Sequence, residues 1–139
     1  MNDRIEFINR ISTEEFCELR EAVGFQKLTI EQAEIVISNT TFMVNAVYDG
    51  RSVGIVRVLT DMLTDAYITD VIVSPDFQGR GLGRMLLEKM VAALKGHSVK
   101  NVKLACCLYA NPGKESFYEK FGFQKLPNDK YGYGMLLEL

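Results

Sequence analysis

Alternating hydrophobic and polar positions divide the first part of the chain into one strand and two helices. Residues 4–8 alternate and predict a short strand. Residues 12–15 and 29–32 are capping boxes, in which a hydroxyl accepts from the helix start and a later side chain reaches back. Apolar residues follow each box at helical spacing, and the two predicted helices end near Gly24 and Asn39.

Runs rich in β-branched residues dominate the middle of the chain. Residues 41–48 and 52–59 are joined at Asp49-Gly50, a pair that supplies the positive φ angles of a tight hairpin turn. A third run, 67–73, is apolar and β-branched and predicts a buried strand. Together the three runs predict an antiparallel meander.

The longest predicted helix begins at Leu82, directly after a glycine-rich turn. Its apolar residues recur at helical spacing, with charged residues mostly between them. A loop at residues 96–98 and a strand at 102–108 follow. Because a helix crosses over between them, the strands at 67–73 and 102–108 should be parallel.

A further helix and two closing strands are predicted near the end of the chain. Asn111 and Pro112 suit the N-cap and the first helical position, and Gly122 ends this helix. Closing strands follow at 123–126 and 133–139. The resulting order, β-α-α-β-β-β-α-β-α-β-β, predicts a single α/β (α+β) domain over all 139 residues. We expect a mixed, mostly antiparallel sheet of about seven strands with about four helices.

Composition and charge narrow the function classes. The chain is 47% hydrophobic, with a net charge of −2 and a pI near 5.5. Such a balance provides no broad basic surface, so neither nucleic acid nor a membrane is expected as a partner. No signal-peptide pattern or bilayer-spanning run is found, so we expect a cytoplasmic protein. Cys17, Cys106 and Cys107 lack metal-ligand spacing and are interpreted as reduced, mostly buried thiols, with no metal site.

The turn at residues 78–83, Gln-Gly-Arg-Gly-Leu-Gly, has the properties of a phosphate-binding loop. Glycines let the backbone approach a ligand, and the first N–H groups of the following helix lack intrahelical partners. A Walker A loop would need Gly-Lys followed by Ser or Thr, whereas Gly83 precedes Arg84 and Met85. The G-x-G-x-x-G dinucleotide fingerprint does not fit either.

The pattern that fits is Gln-x-x-Gly-x-Gly, formed by Gln78, Gly81 and Gly83 after an apolar strand. It resembles the acyl-CoA signature of the GNAT superfamily of N-acetyltransferases. The predicted order of elements also resembles the GNAT fold, strongly from residue 67 to residue 123 and weakly before residue 41. The resemblance implies an enzyme that moves an acetyl group from acetyl-CoA, its cosubstrate, to a primary amine of a small molecule, peptide or protein.

The resemblance further implies which residues contact the coenzyme. The backbone of Val71, Ile72 and Val73 would pair with the pantetheine arm, provided that this strand splays from its parallel neighbour. Loop and helix-start amides would contact the pyrophosphate. The residues at those positions are Gln78, Gly79, Arg80, Gly81, Leu82, Gly83 and Arg84. The Arg80 guanidinium either pairs with phosphate oxygens or stays solvated.

A second region of resemblance comprises Asn111 and residues 117–123, Phe-Tyr-Glu-Lys-Phe-Gly-Phe. It implies that Asn111 contacts the pantetheine arm and that the Tyr118 hydroxyl, near the thioester sulfur, is the general acid. A free phenol titrates near roughly 10 and a thiol near roughly 8.5, so returning the proton costs little. The alternative is that Tyr118 only packs in the core beside Phe117 and Phe121.

The base is left open by the sequence. Asp70 lies mid-strand among apolar residues, where a bare carboxylate is costly to bury. It could be the base, a ligand for the substrate ammonium, or a structural hydrogen-bond acceptor, and an ordered water is the other candidate base. Tyr67 and Thr69 are predicted on the opposite face of the strand. Some GNAT relatives have a glutamate near there, and this chain has none.

The acceptor amine is not identified by the sequence. Residues before 41 and the loop at 127–132 should shape its pocket, where acidic residues would favour a cationic amine such as a polyamine or an aminosugar. Arg20, Glu21 and Arg57 are candidate residues of the amine pocket, and their position in the sequence is the sole reason to name them. The alternative functions are a catalytically silent CoA-binding sensor or scaffold, and a small α/β protein whose glycine-rich stretch is only a turn. A homodimer is compatible with the sequence.

Overall fold

The computed structural model describes residues 4–139, which divide into two compact units. The first unit ends at Cys107 and contains the sheet, and the second comprises Leu108–Leu139. A single domain over the whole chain stays a prediction. None of the helices in the described part of the chain has the length and apolar character that a bilayer span requires.

The elements follow the predicted order as far as the last helix. The strands are β1 (Ile5–Ile8), β2 (Phe42–Tyr48), β3 (Arg51–Thr60), β4 (Asp65–Val73) and β5 (Ala105–Cys107). The α-helices are α1 (Thr13–Ala22), α2 (Ile30–Ser38), α3 (Leu82–Gly96) and α4 (Glu115–Glu119). One turn of 3-10 helix, Pro75–Phe77, connects β4 to the loop before α3.

The prediction of about seven strands is wrong, because the described residues form one sheet of five strands in the order β1-β2-β3-β4-β5. Residues 123–126 and 133–139 are not strands, and β5 is shorter than the predicted 102–108. Apolar alternation shows only that a segment is able to pair. Met135 and Leu137 are 96% and 80% exposed, so little burial offsets the entropy cost of ordering this segment.

The pairing of the remaining strands confirms the predicted topology. Strands β1 to β4 pair in sequence order as antiparallel neighbours, and β4 pairs with β5 in parallel. At the hairpin between β2 and β3, Asp49 and Gly50 have φ angles of 51° and 76°, both positive as the turn requires. The meander and the helical crossover are therefore both present.

Helices cover the two faces of the sheet. Ile55 and Ile72 pack with Phe16 of α1 in a buried cluster on one face. Gly54, the neighbour of Ile55, points to the other face, where an added Cβ would lie 3.0 Å from Leu86 Cδ1 of α3. The missing side chain lets α3 approach the sheet closely.

The two capping boxes behave differently. Thr29 and Gln32 form the full reciprocal box at the start of α2. At α1, Ser12 accepts from the Glu15 amide at 3.1 Å, but the Glu15 carboxylate accepts instead from the Ser52 amide at 2.6 Å. Glu15 therefore ties the start of α1 to β3, and only half of the predicted first box is present.

Candidate functional site

The glycine-rich turn is built on left-handed backbone. Gly79 and Gly81 have φ angles of 76° and 82°, which residues with a Cβ rarely adopt, and Gly81 is the N-cap of α3. The Gln78 side chain donates to the Val73 carbonyl at 2.9 Å. This bond ties the turn back to the end of β4 and accounts for an amide side chain at the first position of the motif.

The start of α3 presents main-chain donors at an open surface. The Met85 amide donates to the Gly81 carbonyl at 3.1 Å, and this is the first i to i−4 bond of the helix. The preceding helical amides, including those of Leu82 and Gly83, have no acceptor within the helix. Leu82 is 1% exposed and anchors the helix, whereas Gly81 is exposed. Amides at the positive end of a helix dipole favour an anionic ligand.

Two arginine side chains flank this turn in different ways. The Arg80 guanidinium lies over the Phe77 ring at 5.3 Å, and Phe77 contacts the Tyr48 ring at a centroid distance of 5.2 Å. Arg84 Nε donates to Glu88 at 2.8 Å on the exposed surface of α3. The stacked arrangement keeps the charge of Arg80 beside the turn, while the Arg84 side chain pairs along its own helix.

Strand β4 has an edge without a strand partner beyond Tyr67. Its parallel pairing with β5 covers residues 65–67, and β5 ends at Cys107 opposite Tyr67. Among residues 4–139, no strand pairs with residues 68–73 on that side. At roughly 3.3 Å per residue this edge is about 20 Å long. Such an edge can pair with an extended ligand.

A bulge in β4 adjoins this edge. On β3 the step from Ile55 to Arg57 covers two residues, but their partners on β4 are Ile72 and Thr69, three residues apart. The extra residue on β4 lies at Asp70-Val71, and Asp70 has a φ of 47°. The sequence showed no sign of this bulge, because bulges depend on the pairing of two strands.

Asp70 is buried and binds two arginines. Arg20 Nη1 donates to Oδ1 at 2.9 Å and Arg57 Nε donates to Oδ2 at 2.7 Å. Arg57 and Asp70 are 7% and 8% exposed. Of the three roles left open for Asp70, the contacts give direct evidence for a structural acceptor, since both oxygens are engaged by cations.

The bulge also corrects the predicted orientation of Asp70. Thr69 lies directly opposite Arg57, so their side chains share a face of the sheet. The Asp70 carboxylate binds the Arg57 guanidinium on that face. The prediction that Tyr67 and Thr69 lie on the face opposite Asp70 is therefore wrong, because the extra residue interrupts strict alternation.

A signal for one of the two arginine partners, Arg57, was present in the sequence. Arg57 interrupts an apolar run on β3 just as Asp70 interrupts one on β4, and the two strands are antiparallel neighbours. A carboxylate and a guanidinium that each interrupt an apolar run on neighbouring strands predict a buried ion pair. Arg20 gave no comparable signal, because its place at the end of α1 resembles an ordinary solvated helix terminus.

Asn111 and Tyr118 belong to the second unit. The predicted helix start at Asn111 is wrong: Gly113 has a φ of 86°, which ends any helix there, and α4 begins at Glu115. Tyr118 is half-buried, with its ring edge-on to Phe117 at 5.1 Å and to Phe123 at 6.1 Å. Burial raises the pKa of the Tyr118 hydroxyl above its ordinary value.

The cysteines are free and only partly match their prediction. Cys17 and Cys106 are half-buried, and burial raises the pKa of both thiols. Cys107 is exposed, because β5 is an edge strand whose pairing ends at this residue. In the part of the chain that the structure describes, no group of three or more His, Cys, Asp and Glu side chains could hold a metal ion.

The glycine-rich turn, the open helix start and the unpaired strand edge occur within a segment that a known family model matches. The model described as "Acetyltransferase (GNAT) family" matches residues 5–123. The chain belongs to this family. One GNAT relative is the "Uncharacterized N-acetyltransferase ycf52" of Pyropia yezoensis, which is 29% identical to this chain over 144 residues. The alignment covers 94% of this chain and 79% of that protein. This chain is an N-acetyltransferase.

Solved structures of GNAT acetyltransferases share the fold. A probable acetyltransferase of unknown function from methicillin-resistant Staphylococcus aureus has a TM-score of 0.82 at 29% identity, covering 97% of this chain and 99% of that one. A GNAT family acetyltransferase from Brucella melitensis, solved in complex with acetyl-CoA, has a TM-score of 0.65 at 22% identity, covering 86% and 82% of the two chains. At that identity the second likeness concerns the fold alone.

Proposed function

We infer that this N-acetyltransferase moves the acetyl group of acetyl-CoA to a primary amine by direct attack, without a covalent acyl-enzyme. The observation that carries this proposal is the short connection between two unpaired backbone surfaces. The strand edge at residues 68–73 leads through Pro75–Phe77 into the amides at the start of α3. The pantetheine arm and the diphosphate belong to one coenzyme molecule. The strand edge suits the arm, and the amides at the start of α3 suit the diphosphate.

The turn is open where the diphosphate is proposed to bind. An added Cβ at Gly79 or Gly81 would meet nothing within 4 Å, so the surface over the turn is open. The proposed contacts to the diphosphate come from the turn and the helix start. They are Gln78, Gly79, Arg80, Gly81, Leu82, Gly83 and Arg84. The backbone of Val71, Ile72 and Val73 is proposed to pair with the pantetheine arm, together with Asn111.

Tyr118 is the proposed general acid for the departing thiolate. Because burial raises its pKa, the phenol keeps its proton throughout the neutral range and has one to give. The same shift makes it a weaker acid than a free phenol. Proton transfer is then favourable only if the sulfur is desolvated as well, since burial also makes a thiolate more basic.

Asp70 or an ordered water is proposed to remove the amine proton. Protonating either oxygen of Asp70 would break one of its two ion pairs, with Arg20 or with Arg57. The contacts of Asp70 therefore favour water. The proposed acceptor is a primary amine of a small molecule, peptide or protein. A cytoplasmic location stays a prediction.

Two measurements test the proposal together. Acetyl-CoA at 100 times its dissociation constant should raise the free energy of unfolding by about 2.7 kcal/mol, visible as a thermal shift. A free-thiol release assay over a panel of amines should then identify turnover. Binding without turnover on any amine would favour a silent CoA-binding module. Absence of any thermal shift would reduce the glycine-rich stretch to a simple turn.

A further inference from the structure

One carboxylate at the bulge of β4 joins several separate elements of the first unit. Asp70 receives Arg20, from the last turn of α1, at 2.9 Å and Arg57, from β3, at 2.7 Å. We refer to these three residues as the arginine clamp. Its side chains are 13%, 9% and 6% exposed for Arg20, Arg57 and Asp70, so water screens the pairs weakly.

Each arginine of the clamp makes contacts beyond Asp70. Arg20 donates through Nη2 to the Gln26 carbonyl at 3.2 Å, and its guanidinium lies 5.6 Å from the centres of the Phe16 and Phe25 rings. These contacts attach the loop that follows α1. The clamp thus connects that loop to the bulge in β4.

Arg57 extends the clamp toward the second helix. Its Nη1 donates to Thr40 Oγ1 at 2.8 Å, just after α2, and its guanidinium lies 5.7 Å from the Phe16 ring. Both arginines therefore flank one ring and converge on one carboxylate. Helices α1 and α2, strand β3 and the bulge are held at a common point.

The backbone at Asp70 needs such support. A φ of 47° is unfavourable for a residue with a Cβ, and it persists where surrounding contacts over-determine it. On the β5 side the parallel pairing ends at Tyr67, so no ladder to β5 holds residue 70. The buried Arg20 Nε has no hydrogen-bond partner, and the hydrogen bonds of this guanidinium are those from Nη1 to Asp70 and from Nη2 to the Gln26 carbonyl.

We propose that Arg20 and Arg57 are positioning residues that hold the bulge of β4 through Asp70, and thereby fix the strand edge that receives the coenzyme arm. This inference rests on the proposed acetyl-CoA site. Of the two proposed bases it selects the ordered water, because Asp70 then acts on the backbone of Val71 and Ile72 and does not touch the reacting atoms. The clamp then determines coenzyme affinity from the face of the sheet that carries α1 and α2.

The test compares matched variants by calorimetric titration with CoA, using the full chain. Arg20→Met keeps the hydrophobic stem and leaves Arg57 and Asp70 as a balanced pair, so it is expected to fold. Its CoA dissociation constant should rise about tenfold, equivalent to about 1.4 kcal/mol. Arg10→Met removes an exposed arginine outside the clamp and should stay within about twofold of the unsubstituted chain.

A second pair of variants separates backbone support from chemistry. Asp70→Gly removes the carboxylate but accepts a φ of 47° without strain, whereas Asp70→Ala retains the strain. Per folded molecule, Asp70→Gly should therefore bind CoA several-fold more tightly than Asp70→Ala. Hydrogen exchange at Val71 and Val73, whose amides point away from β3, should follow the same order, with CoA protecting these edge amides better in the glycine variant.

The outcomes distinguish this inference from the proposed function. If the unsubstituted chain binds no CoA, the proposed function fails and the inference falls with it. A second outcome is that the unsubstituted chain binds CoA, while Arg20→Met lowers only the melting temperature and leaves the affinity for CoA within twofold. The clamp is then merely structural and the inference is overturned. Equal CoA affinity of Asp70→Gly and Asp70→Ala, with turnover lost in both, would instead assign Asp70 as the base and also overturn it.

Discussion

The glycine-rich turn and the arginine clamp both contain backbone with positive φ angles, but they stabilise it in different ways. At the turn, Gly79 and Gly81 adopt positive φ angles at an exposed surface, where the absence of a Cβ is sufficient. At the clamp, Asp70 adopts a positive φ angle in the interior, where two ion pairs surround it. The first arrangement is encoded by local residues and the second by residues distant in sequence.

This contrast explains what each region does to the chain when it is altered. Apart from the Gln78 amide, side chains at the turn contribute little to its shape, so substitutions of its glycines should affect ligand binding more than folding. Side chains of the clamp hold the backbone of the bulge in its conformation, so substitutions there should affect folding first. The predictions below test this division, beginning with the largest expected effect.

Replacing Asp70 by alanine should cause the largest loss of stability. The change leaves the guanidiniums of Arg20 and Arg57 buried without a carboxylate, which typically costs about 3–5 kcal/mol. Urea unfolding followed by circular dichroism measures the change. The double variant Asp70→Ala with Arg20→Met removes one orphaned cation and should recover part of the loss. A loss below about 1 kcal/mol would mean that water reaches the clamp.

Replacing Tyr118 by phenylalanine should lower turnover by about a hundredfold and leave CoA affinity nearly unchanged, as expected for loss of a general acid. Because burial raises the pKa of Tyr118, the folded protein holds this proton more tightly than the unfolded chain. Its contribution to stability is thus present below the ordinary phenol value of roughly 10 and is lost as pH rises above it.

Thiol release and tyrosinate absorbance check the Tyr118 prediction. The ultraviolet titration of the unsubstituted chain should contain one late-titrating tyrosine that is missing from Tyr118→Phe. Phe123→Leu, which removes a ring beside Tyr118 but keeps the hydroxyl, is the matched control and should retain most of the turnover. Unchanged turnover in Tyr118→Phe would rule out the acid role.

Replacing Gly81 by alanine should weaken CoA binding about tenfold while lowering the free energy of unfolding by only about 1 kcal/mol. Nothing lies within 4 Å of the added Cβ, so the cost arises from the φ of 82° alone. Gly24→Ala is a matched control, with a φ of 79° and equally open surroundings after α1. It should show the same stability loss without a change in CoA affinity, and equal affinity losses would contradict the role of the turn.

Replacing Glu88 by glutamine should have the smallest effect, below about 0.5 kcal/mol, because exposed i,i+4 ion pairs contribute little. The Arg84–Glu88 distance of 2.8 Å is similar to those of the clamp, but the side chains are 73% and 52% exposed. Chemical unfolding at low and high salt measures the difference. A loss as large as that of Asp70→Ala would show that burial is not what distinguishes the clamp.

Local patterns predicted the parts of the fold that depend on neighbours in sequence. The hairpin at Asp49 and Gly50, the box at Thr29 and the start of α3 at Leu82 all follow from residues within a few positions of each other. Most of the failed predictions depend on distant partners, whereas the helix start predicted at Asn111 failed locally, at the left-handed Gly113. The strands expected at 123–126 and 133–139 needed an edge to pair with, and alternation of residue types carries no information about that edge.

In the candidate site, too, features set by local residues could be predicted, and features set by distant partners could not. Its glycine-rich turn could be predicted from Gln78 and the glycines, because glycine conformation is local. The bulge at Asp70 could not be read, since it is defined by the register of β4 against β3. Arg57 could be identified as a charge within an apolar run of the neighbouring strand, whereas the role of Arg20 depends on the packing of α1 against the sheet.

The stack of Tyr48, Phe77 and Arg80 beside the turn offers a practical route to watching the coenzyme arrive. The chain contains no tryptophan, so a single indole introduced as Phe77→Trp would be the sole emitter under red-edge excitation. The indole would take the place of the Phe77 ring and present a larger aromatic face to the Arg80 guanidinium. Stopped-flow quenching of that indole by an incoming adenine nucleotide would resolve the kinetics of docking in real time.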